Sequence, residues 1–205
     1  PVYEGGLLDL LPSDITLAES DAALVTAMSF HERAHRFFNR NREYLGRNYD
    51  AIIVDTAPGT TPIALAFTYA AKTAGKILAV VEPVGDCVRA LESLRSNLTE
   101  IAKNTDAVVE MEIIINKFQP GRTHVKDNMA VLYTRYGAIL NETVVPQFSK
   151  FARQMGATAN RRSTPLVESD PTSVGARALI DIAHSVIQTF GIAHPGLGVS
   201  SRSEG

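Results

Sequence analysis

The stretch YDAIIVDTAPGTTP, residues 49–62, decides how the rest of the chain is read. Ala51, Ile52, Ile53 and Val54 run together without a polar residue, Asp55 follows, and Pro58 and Gly59 turn the chain away. An apolar run that does not alternate implies a strand covered on both faces, the habit of parallel sheets. Residues 51–55 are therefore expected to form a buried strand that carries Asp55 at its carboxyl end. A carboxylate in that position is costly unless it is hydrogen-bonded or close to a cation, and hard divalent ions such as Mg²⁺ prefer oxygen ligands. Position alone leaves two readings of Asp55 open, a metal ligand or a cap for the turn into the next helix.

Apolar runs and helical stripes alternate on both sides of this stretch, the pattern of an α/β fold with a mostly parallel sheet and helices on both faces. Upstream, a strand is expected at residues 7–11, stopped by Pro12, and Thr16 with Glu19 forms a capping box that opens a helical region to about Gly46. Downstream, Thr61 and Pro62 read as N-cap and first helical position of a helix that is apolar almost all round, and so inside. Strands are expected at residues 76–81, 111–115 and 143–145, ending on Glu82-Pro83, Asn116-Lys117 and Pro146. Between them, Val88, Leu91, Leu94, Leu98 and Ile101 mark one helical face, and Val125, Met129, Leu132 and Tyr136 another. A short helix is expected around residues 148–155. Asp170-Pro171 caps a last helix with Val174, Ala178, Ile182, Val186 and Phe190 on its apolar face. Residues 1–190 thus read as one α/β domain and residues 191–205, rich in Gly and Ser, as a flexible tail.

A length of 205 residues suffices for one sizeable core. The formal net charge of −2 excludes nucleic-acid binding by overall basicity, so any such binding needs a local patch. The lone Cys87 cannot form an internal disulfide and no Cys/His cluster has zinc-finger spacing, which points to a reducing, cytoplasmic compartment. No run approaches the roughly 20 apolar residues of a membrane span, and stable membrane association is not expected.

In doubly wound sheets ligands sit beyond the carboxyl ends of the strands, which singles out Asp55, Glu82-Pro83, Asn116-Lys117 and Pro146. The Asn116 amide offers a donor and an acceptor together, suited to reading a base, although an ordinary turn asparagine has the same position. Arg122 and Lys126 lie one helical turn apart beside an apolar stripe, and Lys150, Arg153, Arg161 and Arg162 extend the charge. That patch suits phosphate-backbone binding without sequence readout. HERAH, residues 31–35, fits the zinc-protease pattern H-E-x-x-H, but Arg33 and Arg36 bring positive charge close to any dication and no third ligand follows at a recognised spacing. A solvated basic helix face is the better reading, and Arg33, Arg36, Arg40, Arg42 and Arg47 there could touch DNA or an adjacent subunit. Cys87, behind Asp86 at a helix start, reads as a core residue rather than an activated thiol.

Taken in order, LLDLLPSDITLAESDAAL, YDAIIVDTAPG, ILAVVEP, IIINKFQPGRT, VVPQFSKFARQ and DPTSVGARALIDIA resemble the ParA family of deviant-Walker ATPases. The resemblance implies a P-loop NTPase-like fold in which Asp55 matches the Walker B carboxylate that helps hold Mg²⁺ and the hydrolytic water. Pro58 and Gly59 would lie in the switch that senses the γ-phosphate, Asn116 with Lys117 would match the adenine-reading position, and Pro146, Gln147 and Phe148 the segment packed on the base. Arg122 and Lys150 fall where the family often places basic residues that touch non-specific DNA, and Lys126 and Arg153 from the charge patch join them as candidate DNA contacts. It further implies ATP as cofactor, a homodimer, a ParB-type centromere-binding partner and a nucleoid-associated location.

The family's phosphate loop is not in this sequence. There is no G-x-x-x-x-G-K-[ST], and Gly75-Lys76 lacks both the glycine spacing and the hydroxyl residue. The chain is therefore expected to be the C-terminal part of a longer ATPase, with the N-terminal strand and P-loop helix upstream of Pro1, and not to hydrolyse ATP efficiently alone. A MinD-like membrane-cycling ATPase and a non-enzymatic adaptor of the same fold are the alternatives.

Overall fold

Lys76–Val81 (β1), Glu110–Phe118 (β2) and Leu140–Pro146 (β3) form a three-stranded parallel sheet in the order β1-β2-β3. The computed structural model describes residues 8–12, 23, 29–57, 59, 61–73, 75–105, 107–149 and 164–192. Parallel neighbours cannot be joined by a tight hairpin, and each pair here is bridged by a helix: Cys87–Thr105 (α4) between β1 and β2, and Thr123–Tyr136 (α5) between β2 and β3. Among the described residues three helices precede the sheet, Glu32–Arg40 (α1), Arg42–Asn48 (α2) and Pro62–Ala70 (α3), and two follow it, Leu166–Ser169 (α6) and Val174–Phe190 (α7). Among the described residues no helix is long and apolar enough to cross a membrane.

The sheet is covered on both faces of β2. On one face Ile113 and Ile115 meet α4 through Cys87 and Leu91, and α5 through Val125, Met129, Leu132 and Tyr136. On the other, Ile114 and Val145 pack against Ala178 and Ile182 of α7. The α5 stripe expected from the sequence is buried in full, and in α4 Leu91 and Leu98 are buried while Val88 and Leu94 pack at the margin. One polar side chain, Asn141, is buried among these layers, and its amide is satisfied by Glu112 Oε1 at 2.5 Å, Ser185 Oγ at 3.1 Å and the Thr143 N–H at 2.8 Å.

Local signals act as their chemistry requires. The Thr61 side chain accepts from the Ala64 N–H at 3.2 Å with Pro62 at the first helical position, and Ser173 caps α7 in the same way. Thr61→Ala should cost about 0.5–2 kcal/mol by losing that bond, read as a shifted urea midpoint with an unchanged slope. α7 ends at Gly191 with φ +61°, a left-handed turn that favours glycine.

Several sequence expectations are corrected. Residues 8–12 form no strand, and Leu8, Leu10 and Leu11 are exposed. Residues 51–57 carry no strand ladder and lie exposed, with Ile53 at 92% of its full accessibility. Their apolarity calls for neighbours that the described residues do not supply. The long N-terminal helix is broken at Asn41, whose amide donates to the Phe37 carbonyl at 2.8 Å, and resumes through Asn48. β2 and β3 run beyond their apolar cores because the ladder continues to Phe118 and Pro146. The α7 cap is Ser173 rather than Asp170-Pro171, and of the expected stripe Ala178 and Ile182 pack on the sheet while Val174 and Phe190 are exposed; the small Gly175 and Ala176 are buried as well. The capping box at Thr16 and Glu19, most of the helix expected over 148–155, and the tail after Ile192 lie outside the described residues.

Candidate functional site at the carboxyl ends of the strands

Parallel pairing brings the strand ends to one edge. β1 and β2 are in register from Lys76 opposite Glu110 to Val81 opposite Ile115, so Glu82 and Asn116 emerge side by side. Lys117 reaches across to Glu82 in an ion pair, and Phe118 C=O accepts from the Gln147 N–H at 2.9 Å, extending the row to β3. From the first half of α5, Asn128 Nδ2 donates to Pro83 C=O at 3.2 Å and ties the helix to the loop after β1. Glu82, Asn116, Lys117, Phe118 and Gln147 are thus assembled on one rim.

The backbone at Lys117 has φ +52°, a left-handed conformation that a lysine adopts at a cost. Its own N–H is held at 2.9 Å by Asn116 Oδ1, so the asparagine side chain supports this kink. The consequence is chemical as well as geometric: one of the two groups that Asn116 could use to read a base is turned to its neighbour, and its NH₂ remains for other partners. Both the ion pair and the Asn128 bridge escaped the sequence reading. The in-register pairing was the missing information for the first, and for the second the only signal is a polar residue three positions after Val125 on the stripe of α5.

The remaining candidates are placed as follows. Asp55 is exposed within the 51–57 segment, and no hydrogen bond or ion pair ties it to the described residues. Gly59 has φ +100°, a turn that a side chain would strain. Pro146 is half-buried at the end of β3, Gln147 is exposed and Phe148 half-buried. Arg122 is the N-cap of α5 and Lys126 lies one turn on, its N–H donating to Arg122 C=O at 3.2 Å; both side chains are exposed. Pro58, Lys150, Arg153, Arg161 and Arg162 lie outside the described residues.

The H-E-x-x-H pattern has a different use. His31 and His35 both turn edge-on to Tyr69 of α3, with ring centroids 4.9 and 5.9 Å away, and Lys72 Nζ lies 3.8 Å over the same ring. His35 engages both ring nitrogens, Nδ1 with Thr73 Oγ1 at 3.1 Å and Nε2 with the Asn39 amide at 2.9 Å. Burial and the neighbouring Lys72 charge hold its pKa below the ordinary imidazole value. The histidine side of α1 is therefore a packing face, which corrects the expectation of a solvated one; the solvated basic face is the opposite one. Cys87 is buried, and burial pushes its thiol pKa up, as a core residue requires.

No family model matches the chain. It is 26% identical over 200 residues to the cell division protein PomZ of Myxococcus xanthus (strain DK1622), a similarity that covers 92% of this chain and 59% of the relative. The chain thus spans about three-fifths of the length of the curated relative it matches.

Proposed function

We propose that the chain is the C-terminal part of a ParA-type ATPase that positions cargo in cell division or DNA segregation. The observation that carries this reading is the row of strand-end residues on one rim of a parallel sheet, where such folds take a nucleotide. The similarity to a cell division protein supports the same direction. In this reading ATP binds across the rim, Asn116 and the Pro146, Gln147 and Phe148 segment face its base, and Asp55 lies on the phosphate side. The donor chemistry fits a Mg²⁺ site: Asp55 is a hard oxygen ligand with no competing partner among the described residues, and Mg²⁺ typically takes one or two carboxylates plus phosphate and water.

The exposed apolar surfaces fit the same proposal. Ile52, Ile53 and Val54 are bare, and so are Leu78 and Val80 of the edge strand β1. Large exposed apolar surface on an unpaired edge asks for a covering element. A further parallel strand between residues 51–55 and β1, followed by a phosphate-loop helix, would cover both.

On this proposal the ATP-bound protein is a homodimer on non-specific DNA in the cytoplasm, associated with the nucleoid and released through a ParB-type partner. Arg122 and Lys126 face the phosphates, joined by Lys150 and Arg153. The test is ATP-dependent binding of the full-length protein to duplexes of unrelated sequence. Arg122→Glu with Lys126→Glu should weaken all of them alike, by about tenfold at low salt. Affinity within about twofold of the parent, or binding indifferent to ATP, would remove this reading.

A further inference from the structure

The outward face of α1 is a second basic surface, on a different element from Arg122 and Lys126. Burial sets the two sides of this helix apart. His31, Ala34, His35 and Phe38 are turned towards α3, with Phe38 against Phe67 at 6.3 Å, whereas Arg33, Arg36, Phe37 and Arg40 are exposed. Ser29, Arg33, Arg36, Phe37, Arg40 and Asn41 line a shallow open groove of about 440 Å³. Arg36 pairs with Glu32, while Arg33 and Arg40 have no carboxylate within salt-bridge distance among the described residues.

We infer that this groove is a docking surface for the phosphate backbone of double-stranded DNA. Guanidinium groups present planar forks of donors suited to phosphate, and Ser29 and Asn41 bound the groove beyond the two ends of the helix. The spacing agrees. Arg33 and Arg40 lie seven residues apart, about 10.5 Å along the helix, close to the rise of about three nucleotides of one strand. A membrane surface is a poorer occupant, because an interfacial helix inserts a broad apolar face. Here that face is taken by α3, and Phe37 alone accompanies the arginines on the outside. Backbone binding of this kind carries no sequence preference and does not involve the strand-end rim, so it stands apart from the nucleotide reading.

The test is fluorescence anisotropy of the full-length protein on random-sequence duplexes between about 50 and 200 mM salt. Arg33→Ala with Arg40→Ala removes exposed groups and should leave the melting temperature unchanged. We expect the slope of log affinity against log salt to fall by about 2, near 0.9 for each phosphate no longer neutralised, with about tenfold weaker binding at the lower salt. Arg33→Lys with Arg40→Lys should restore most of the slope. Slope and affinity within about twofold of the parent overturn the inference. So does loss of binding to phosphatidylserine vesicles, or to polyglutamate as an acidic protein surrogate, with DNA binding intact. The Arg122 and Lys126 variant separates the two proposals: if it alone loses DNA, the α1 surface falls, and if the α1 variant alone does, the α5 patch falls.

Discussion

Leu132→Ala should lower the unfolding free energy by about 2–5 kcal/mol, among the largest effects available to a single substitution in this chain. Leu132 is fully inaccessible and sits with Val125, Met129 and Tyr136 against Ile113 and Ile115. Truncation there removes buried methyl groups and leaves a cavity that helix and strand, tied at both ends of their crossover, cannot close. Domains are stable by about 5–15 kcal/mol in total, so such a loss brings the fold near its limit. The control is Val174→Ala, because Val174 is 66% exposed despite belonging to the stripe read from the sequence, and its loss should stay within about 0.5 kcal/mol. Urea denaturation of both variants measures the contrast. Equal destabilisation would mean that the first turn of α7 is packed, with Val174 sharing the burial of Ala178 and Ile182 against Ile114 and Val145.

That contrast shows which signals the sequence carries. The α5 stripe was legible because Val125, Met129, Leu132 and Tyr136 are large, apolar and spaced for one helix face, a property that needs no knowledge of the partner. In α7 the stripe holds in its middle, where Ala178 and Ile182 pack on Ile114 and Val145, and fails at its ends, where Val174 and Phe190 are exposed; Gly175 and Ala176 are buried, and residues so small give no signal to a search for large apolar side chains. Residues 51–55 fail for a different reason. An apolar run records that a segment wants cover, whereas cover itself comes from strands distant in sequence, and none among the described residues pairs with it.

The rim was half legible on the same grounds. Strand ends could be placed from the points where apolar runs stop, which found Glu82, Asn116 and Pro146. The Glu82 to Lys117 pair depends on register, and the left-handed backbone at Lys117 depends on Asn116 turning its side chain onto the chain that follows. Register is fixed by the whole sheet, so neither property can be read from a local window.

Asp55→Ala in the full-length protein should reduce ATP turnover by about 10²–10³-fold, the scale of removing one preorganised electrostatic group from a reaction centre, with at most a few-fold change in ATP affinity. This rests on the proposed nucleotide site. Asp55 suits the role because the fold makes no other use of it: it is exposed, with no hydrogen bond or ion pair to the described residues. Its removal should accordingly leave the melting temperature within about two degrees, since surface changes are worth at most about 0.5 kcal/mol. A structural cap behaves in the opposite way, losing stability first and turnover only as a consequence. Asp55→Asn sharpens the distinction, because it keeps the shape and a carbonyl oxygen but withdraws the charge. If Asp55 helps hold Mg²⁺, the asparagine variant should need a higher Mg²⁺ concentration for half-maximal nucleotide binding and remain slow at saturation. Unchanged turnover in both variants would return Asp55 to a turn residue, and with it the reading of the stretch around it.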